Sequence, residues 1–486
     1  MSVANEFLAV FIDGVPGRGH SDAPLENRNP STGEVIGHFY PANEADVDQA
    51  VLAAHAAFED RRWRALSPAH RSRAMHRLAD LIEEHGDELA ALEMQEAGKL
   101  KAAARQGEVP FAAECFRYHA GWCSKLEGRT TPMTMAAQGE FHTYTVHDAI
   151  GVAGLITPYN GALVQASWKL APALAAGCTV VIKPDEKTPM STLRLAELAV
   201  AAGIPPGVVN VVVGSGQSAG AALVRHPLVR KISFTGSTKT GKEIGRTAMD
   251  DLKKVTLELG GKSPIIVLDD ADLDAAIHGV ADAIFSNAGQ VCVAGSRLYA
   301  ESRIYDELVA GVAELSRQLK VGRADDGDTD VGPLISERHR DNVLAAITGG
   351  EFDGAKILTG GKRIDLDGGY FVEPTVIVDA DSTMSVLREE IFGPVLVATK
   401  ANDMQQCVRE SNNSRYGLAA SIWTRDIAKA HRLANEVQAG IVWVNCHGIP
   451  DMAVPFGGYK QSGWGRENGL EGLLAYTELK SVICKL

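Results

Sequence analysis

One cysteine in the second half of the chain, Cys292, lies in the run N-A-G-Q-V-C-V-A-G-S-R over residues 287–297. A thiol in such a run can be a packed side chain, a metal ligand or a nucleophile. A free cysteine is more often a small buried hydrophobic residue, so the run alone favours packing. The other chemistry-bearing residues of the chain must therefore decide between the three roles.

Polar side chains directly follow two apolar, β-branched runs. Asn160 comes after G-V-A-G-L-I-T, and an Asn amide can donate to a developing oxyanion, although a turn residue is the simpler interpretation. Lys183 and Glu186 come after C-T-V-V-I. A Lys and a Glu at a strand end can bind a nucleotide ribose, and the Glu would repel a 2′-phosphate; a solvated loop is the alternative.

Two further strand ends carry candidate groups. T-G-S-T-K-T-G, residues 235–241, follows the run R-K-I-S-F and opens a predicted helix, an arrangement that favours phosphate binding, although it is not G-x-G-x-x-G. Glu258 lies between two leucines after K-V-T, so burial should raise its pKa and suit it to general-base catalysis. A capping or salt-bridged Glu is the structural alternative.

A competing pattern is G-Q-S-A-G, residues 216–220, which matches the nucleophile elbow of α/β-hydrolases with Ser218 as nucleophile. Such an enzyme also needs an acid and then a histidine downstream, and His447 is one candidate. The same glycines can instead form a loop beside a dinucleotide. The esterase therefore remains an alternative with weak support.

The elements that would position these residues alternate between short apolar runs and helical segments from Gly151 onward, and a second such stretch covers residues 262–455. This rhythm predicts mostly parallel sheets covered by helices, with ligands beyond the carboxyl ends of the strands. Residues 1–125 are predicted to be largely helical, with Asn43 and Ser67 as helix caps. The chain of 486 residues is long enough for two or more domains.

Composition excludes several classes of protein. The formal net charge of −13 argues against nucleic-acid binding, and no apolar run is long enough to span a bilayer. The N-terminus lacks the basic region of a secretory signal. Seven cysteines without a C-x-x-C motif indicate no metal site and no disulfide framework, so a cytoplasmic location is expected.

Taken in order, the motifs resemble those of the aldehyde dehydrogenase superfamily over nearly the whole chain. The motifs that carry this resemblance are I-T-P-Y-N, K-L-A-P-A-L-A-A-G-C-T-V-V-I-K-P, F-T-G-S-T-x-x-G, L-E-L-G-G-K-S-P, G-Q-V-C, E-E-I-F-G-P-V and P-F-G-G-Y-K-Q-S-G-W-G-R-E. The separation of Glu258 and Cys292 also resembles that of the family.

The resemblance implies oxidation of an aldehyde to its carboxylic acid by a non-acylating enzyme that uses NAD. Cys292 would attack the aldehyde, and its small neighbours would leave space for substrate and cofactor at the sulfur. Asn160 would stabilise the oxyanion, and Glu258 would activate the water that hydrolyses the thioester. Glu467 would be a second acidic group for proton transfer.

The resemblance also assigns NAD-binding positions. Lys183 and Glu186 would hold the adenosine ribose, Gly236 and Ser237 would face the pyrophosphate, and the segment 390–392 would position the nicotinamide half. The full set is Ile156, Pro158, Lys183, Glu186, Gly216, Phe234, Gly236, Ser237, Leu259, Glu390 and Phe392.

Departures from the family pattern concern the substrate. The family motif P-W-N-x-P reads P-Y-N-G-A here, so Gly161 stands where many relatives carry a bulky side chain. Gly448 and Pro450 fall in the loop that usually contributes larger walls in the family. This predicts a roomy apolar pocket for an aromatic or terpenoid aldehyde, with a semialdehyde or small aliphatic aldehyde as the alternative. The predicted lining residues are Gly161, Trp168, Val291, Val293, Pro450 and Phe456.

The implied architecture is α/β: a Rossmann-like cofactor domain, an α/β catalytic domain and a small β-extension for oligomerisation. The predicted boundaries are 1–125 with 149–258 for the cofactor domain, 259–467 for the catalytic domain, and 126–148 with 468–486 for the oligomerisation strands. Such strands could pair across subunits or remain exposed edges. The resemblance implies a homodimer or homotetramer.

Overall fold

The fold is described from a computed structural model that covers residues 5–134 and 139–486. Residues 1–4 and 135–138, which fall within the predicted cofactor domain and the first predicted oligomerisation segment, lie outside the described residues.

The first part of the chain forms five short strands before its first helix. The elements up to residue 149 are β1 Asn5–Glu6, β2 Val10–Ile12, β3 Val15–Gly17, β4 Leu25–Arg28, β5 Val35–Phe39, α1 Glu44–Glu59, α2 Pro68–Glu84, α3 Gly86–Ala97, α4 Lys101–Ala103, α5 Val109–Ala120 and β6 Phe141–Ala149. The prediction of a largely helical start is therefore wrong for residues 5–39 and holds from residue 44 onward. The side chains of Asn43 and Ser67 cap α1 and α2, as predicted.

Strands and helices alternate through the rest of the chain. The elements are β7 Val152–Ile156, α6 Ala162–Ala176, β8 Thr179–Lys183, α7 Met190–Ala201, β9 Val209–Val212, α8 Ala221–Arg225, β10 Val229–Thr235, α9 Thr238–Met249, β11 Lys254–Glu258, β12 Pro264–Val267, α10 Leu273–Phe285, β13 Arg297–Glu301, α11 Ser302–Gln318, α12 Glu337–Phe352, β14 Lys356–Thr359, β15 Arg363–Ile364, β16 Phe371–Val372, β17 Thr375–Val378, α13 Ser385–Arg388, β18 Val395–Ala401, α14 Met404–Asn412, β19 Ala419–Trp423, α15 Ile427–Glu436, β20 Ile441–Val444, β21 Gly463–Trp464, α16 Gly469–Leu474 and β22 Thr477–Lys485. Single turns of 3₁₀ or π helix occur at Ala104–Glu108, Tyr159–Gly161, Gly216–Gly220, Ser286–Gly289 and Lys460–Ser462.

An eight-stranded sheet has the order β21-β11-β10-β7-β8-β9-β2-β3. The five central strands, β11 to β9 in that order, run parallel, and the outer strands β21, β2 and β3 pair antiparallel. The residues of β7, β8 and β9 are all buried and mostly apolar, because helices cover both faces of a parallel sheet.

A seven-stranded sheet has the order β14-β17-β18-β13-β12-β19-β20. All its pairs are parallel except β14 with β17. Clusters of buried apolar residues cover both large sheets, and one of them joins strands of the eight-stranded sheet to β19 and β20 of the seven-stranded sheet.

The two segments outside this rhythm, β6 and β22, pair with each other over nine residues in an antiparallel ribbon. They therefore pair within the chain, and most of their side chains are exposed or half-buried. Within residues 5–134 and 139–486, no helix has the length and apolar character that crossing a membrane requires.

Candidate active site

A cavity of about 520 Å³ opens beside Cys292, and Asn160 lies on the same wall. We refer to it as the Cys292 cavity. All of the lining residues predicted from the sequence border it: Gly161, Trp168, Val291, Val293, Pro450 and Phe456, together with Gly448. The structure thus gathers residues that are as much as 295 positions apart in the chain, since 456 − 161 = 295.

The segment that carries Cys292 turns sharply as it leaves α10. Asn287, Ala288 and Gly289 all have positive φ, at 50°, 52° and 71°. A Cβ on Gly289 would lie 2.0 Å from the carbonyl oxygen of Gly393, so this position requires glycine. The strained turn brings the thiol to the cavity wall.

Two side chains from other elements hold this segment on either side of the thiol. Asn160 Nδ2 donates to the carbonyl oxygen of Gln290 at 2.9 Å. His447 Nε2 donates to the carbonyl oxygen of Val293 at 2.7 Å, while its Nδ1 lies 3.0 Å from Ser421 Oγ. The residues before and after Cys292 are therefore fixed from two directions.

The contacts of His447 do not support the esterase alternative. Both ring nitrogens are engaged by Val293 and Ser421, and neither contacts Ser218. Ser218 lies within the π turn Gly216–Gly220, where its backbone N–H donates to Ser215 Oγ. The sequence suggested His447 only as a partner of Ser218; its contact with the Cys292 segment was missed, because no local pattern indicates it.

Burial controls the protonation of the thiol. Desolvation raises the pKa of Cys292 to about 12, and the carboxylates of Glu258 and Glu390 add to the rise. The resting thiol therefore keeps its proton at neutral pH. Nucleophilic attack requires a base that takes this proton or a bound group that stabilises the thiolate.

Glu258, the last residue of β11, is the carboxylate that the resemblance assigns to activation of the hydrolytic water. It is 3% exposed, and neither carboxylate oxygen has a hydrogen-bond partner in the described part of the chain. Burial, with a smaller contribution from the charge of Glu467, raises its pKa well above the ordinary value. The rise predicted from its position between leucines is therefore confirmed, and it moves Glu258 toward the range of a general base at neutral pH.

Glu467 lies in a buried polar cluster. Its Oε1 accepts hydrogen bonds from Lys169 Nζ and, at 2.9 Å, from Ser233 Oγ. Lys169 also donates to Thr235 Oγ1 at 2.7 Å. This cluster connects the eight-stranded sheet to the segment after β21, and its charges affect the pKa of Glu258.

The predicted cofactor residues gather at the carboxyl ends of parallel strands. In the ladder, Ile156 pairs with Lys183 on one side and with Phe234 on the other, so the three residues lie level across β8, β7 and β10. Pro158 directly follows β7 and precedes the 3₁₀ turn Tyr159–Gly161. Lys183 Nζ lies 3.4 Å from Glu186 Oε2, so the predicted ribose-binding pair is already assembled.

A phosphate-binding geometry follows β10. Ser237 caps α9, and its Oγ accepts from the N–H of Thr240 at 3.2 Å, so the helix begins with its N–H groups directed outward. A Cβ on Gly236 would lie 2.5 Å from the Phe234 ring, whereas open space surrounds Gly216. A helix N-terminus, a lysine and a carboxylate form a donor and acceptor set that suits a dinucleotide.

The other end of the cofactor set approaches the thiol. Glu390 Oε1 accepts from the N–H of Gly261 at 3.1 Å, and burial raises the pKa of Glu390 to about 7. Glu390 and Phe392 line a small recess that shares Val291 with the Cys292 cavity. The remaining predicted residue, Leu259, packs against α9, since a Cβ on Gly241 would lie 2.4 Å from its Cδ2.

Sequence reasoning missed part of the cavity wall. The missed residues include Lys99, Glu108, Phe111, Gln165, Asn287 and Trp443. Phe111 packs edge-on against Trp168 at 6.0 Å between ring centroids, and Trp168 packs against Phe456 at 5.0 Å. Several of these residues lie in or between α3 and α5, and none of them follows a strand, so the search of strand ends in the sequence did not find them.

A thiol beside a cavity, a buried carboxylate and a strand edge that suits a dinucleotide are together compatible with covalent redox catalysis. Comparison with known proteins gives the family. The model of the aldehyde dehydrogenase family matches residues 18–482. This chain belongs to the aldehyde dehydrogenase family, so the family, the α/β fold and the enzymatic class predicted from the sequence are confirmed.

The individual proteins to which this chain is similar are also aldehyde dehydrogenases. A phenylacetaldehyde dehydrogenase of Pseudomonas fluorescens is 45% identical over 98% of this chain and 95% of its own length. The human mitochondrial aldehyde dehydrogenase is 46% identical over 94% of this chain and 88% of its own. The structure of an aldehyde dehydrogenase from Bacillus cereus in complex with NAD⁺ has a TM-score of 0.97 and 44% identity, and covers 100% of this chain and 98% of that one.

Proposed function

We propose that this enzyme oxidises a bulky, apolar aldehyde, aromatic or terpenoid, to the free carboxylic acid with NAD as electron acceptor. The observation that carries the proposal is the Cys292 cavity, whose volume of about 520 Å³ exceeds what a short aliphatic aldehyde would fill. Apolar and aromatic side chains form much of its wall, and no arginine borders it in the described part of the chain.

Cys292 gives up its thiol proton to water in the Cys292 cavity and attacks the aldehyde carbon as a thiolate. The new oxyanion accepts hydrogen bonds from Asn160 Nδ2 and from the backbone N–H of Cys292. NAD, held by the residues named below, would supply the hydride-accepting chemistry that oxidises the aldehyde carbon on Cys292 to the thioester level. Glu258 then removes a proton from water as that water attacks the thioester carbon; the C–S bond breaks, the carboxylic acid departs, and Cys292 is regenerated in the enzyme.

Several residues divide the remaining work. Lys183 and Glu186 hold the adenosine ribose, and the carboxylate of Glu186 disfavours a 2′-phosphate, so NAD is preferred over NADP. The N-terminus of α9 receives the pyrophosphate, and Glu390 with Phe392 positions the nicotinamide half. Glu467, held by Lys169 and Ser233, is the second acidic group for proton transfer.

The phenylacetaldehyde dehydrogenase of Pseudomonas fluorescens supports the aromatic substrate class, since it shares 45% identity over nearly the full length. The alternative is a semialdehyde or small aliphatic substrate. A semialdehyde carboxylate needs an unpaired cation, and the lysine on the cavity wall, Lys99, is already paired with Glu108. The wide cavity also gives a short substrate little apolar contact.

The test measures absorbance at the reduced-nicotinamide band with NAD and, separately, NADP. The panel contains acetaldehyde, succinic semialdehyde, phenylacetaldehyde and geranial. We expect kcat/KM for phenylacetaldehyde or geranial to exceed that for acetaldehyde by at least about tenfold, because each added buried methylene contributes roughly 0.8 kcal/mol. Higher kcat/KM for the short or carboxylated aldehydes would contradict the proposed substrate class.

Two matched controls separate the mechanisms. The Cys292→Ala variant should lose aldehyde oxidation, whereas Cys484→Ala, which removes a partly exposed cysteine on β22, should keep it. Ser218→Ala should also remain active. Loss of activity in Ser218→Ala alone would favour the esterase alternative.

The predicted domain scheme and assembly stay part of the proposal. The eight-stranded sheet draws its central strands from residues 152–258 and the seven-stranded sheet from residues 264–444, which supports a cofactor domain and a catalytic domain. Exposed Leu479 and Ile483 on β22 support a homodimer or homotetramer built through the β6–β22 ribbon. A cytoplasmic location is proposed from cysteine usage.

A further inference from the structure

An ion pair interrupts the apolar wall of the Cys292 cavity. Lys99, which follows α3, is 5% exposed, and its ammonium group pairs with the carboxylate of Glu108. Both residues border the same cavity as Cys292 and Asn160. None of the roles assigned above uses this pair.

Gly161 opens the wall in front of the ammonium group. A Cβ at this position would have Gln165 Cγ at 3.6 Å and Lys99 Nζ at 4.0 Å as its nearest neighbours within 4 Å. The backbone φ of Gly161 is −165°, outside the left-handed region that favours glycine, and crowding is absent because no neighbour of an added Cβ would lie closer than 3.6 Å. The side chain of a larger residue would occupy the space that the glycine leaves beside Lys99 Nζ.

The ammonium group retains unused hydrogen-bonding capacity. A lysine has three donors, and over residues 5–134 and 139–486 its one polar partner is Glu108. Burial lowers the pKa of Lys99 to about 8, against the opposing effect of the Glu93 carboxylate, as expected for a cation that has lost water. At pH 7 the group is still mostly protonated.

The charges of the pair select the chemistry of a partner. Lys99 alone would attract a carboxylate. The carboxylate of Glu108 cancels the charge of Lys99 and repels an anionic group of a substrate, and the ammonium group of Lys99 repels a cationic one. A hydroxyl group satisfies both members, because its oxygen accepts from the ammonium group and its hydrogen donates to the carboxylate. A neutral ether or ketone oxygen satisfies only the first.

We infer that the Lys99–Glu108 pair, uncovered by Gly161, binds a hydroxyl group carried by the aldehyde away from its carbonyl carbon, and that the substrate is a hydroxylated aromatic aldehyde. This inference rests on the proposed function. The rings of Phe111, Trp168 and Phe456 supply apolar and edge-on contacts for an aromatic body in the same cavity. The pair then acts as a specificity determinant.

The experiment compares phenylacetaldehyde with its 2-, 3- and 4-hydroxy derivatives, under NAD, by initial rates of nicotinamide reduction. The readout is the ratio of kcat/KM for each hydroxy isomer to kcat/KM for the parent aldehyde. In the wild-type enzyme we expect at least one isomer to exceed the parent by roughly fivefold to tenfold, the effect of one net hydrogen bond.

Two variants test the cause of that preference. Lys99→Met removes the donor, and Gly161→Leu covers it while leaving both charges in place. In each variant the ratio should fall to about one or below, because the hydroxyl then loses its partner. Since each ratio is formed within one protein, a general loss of activity cancels, and thermal unfolding reports whether Lys99→Met folds with Glu108 unpaired.

The outcomes distinguish this inference from the proposed function. Oxidation of phenylacetaldehyde without any preference for a hydroxy isomer would overturn the role of the pair and leave the proposed function standing. A preference that survives in Gly161→Leu and in folded Lys99→Met would also overturn it. Absence of oxidation of every aromatic aldehyde, alongside activity on short aldehydes, would instead refute the proposed substrate class.

Discussion

The protonation of Cys292 offers a direct test of the site as the structure presents it. Burial raises the thiol pKa from an ordinary 9.0 to about 12, a difference of 12 − 9 = 3. At any pH below 9 the thiolate fraction is therefore about a thousandfold lower than for an ordinary thiol, which corresponds to about 4 kcal/mol. We predict that Cys292 in the cofactor-free enzyme reacts slowly with iodoacetamide at pH 7.

The assay follows alkylation of each cysteine by peptide mapping between pH 7 and pH 10, with Cys292→Ala to identify the peptide. Because the thiolate is the reactive species, the rate at Cys292 should rise about tenfold per pH unit without a plateau. Cys484, partly exposed on β22, provides an internal reference for reagent quality. A plateau at Cys292 with a midpoint at or below pH 9 would refute the argument that burial dominates.

Four further predictions concern three other residues of the site. Glu258→Gln should slow acid release by roughly a hundredfold or more while a single burst of nicotinamide reduction persists in rapid-mixing experiments. The same variant should be more stable to heat than wild type, and the difference in Tm should be larger at pH 8 than at pH 5. The reason is that the pKa of Glu258 is raised in the folded state, so wild-type stability falls as pH rises above 4.5. An equal difference in Tm at both pH values would contradict this. His447→Gln keeps an N–H near the position of Nε2 and should retain most of kcat. His447→Asn loses the hydrogen bond to the carbonyl oxygen of Val293 and should lower kcat about tenfold. Equal kcat values for the two variants would show that this hydrogen bond is dispensable. Glu186→Ala should raise KM for NAD roughly tenfold or more. It should also lower the ratio of kcat/KM with NAD to kcat/KM with NADP. An unchanged ratio would show that Glu186 does not recognise the ribose.

Local patterns in the chain were sufficient for several elements. Asn43 and Ser67 cap α1 and α2 as predicted, because a cap depends on residues within one helical turn. The strand, loop and helix order around residues 229–249 is also as predicted. Consecutive parallel strands end at one edge of the sheet, so the sequence could place Ile156, Lys183 and Phe234 close together without coordinates.

The strands over residues 5–39 could not be recognised in the same way. Each is two to five residues long, and β2 pairs with β9 about 200 positions later, Val10 opposite Val212. Such a strand is specified by its distant partner, and the segment itself has too few residues for an alternation of apolar and polar positions to stand out. The helical spacing of apolar residues in α1 and α2 was the strongest pattern in residues 1–125, and it led to the prediction that the whole segment is largely helical.

The sequence by itself determined the family and the parallel sheets and singled out Cys292 as the candidate nucleophile, because long motifs and strand-end residues are contiguous in the chain. Only the tertiary structure decided which groups share the Cys292 cavity and how they ionise. Lys99 and Glu108 meet Gly161 through packing of separate helices, and His447 reaches Val293 across the end of the seven-stranded sheet. Desolvation sets the pKa of Cys292 and Glu258, and desolvation depends on the atoms that surround a group in space rather than on its neighbours in sequence.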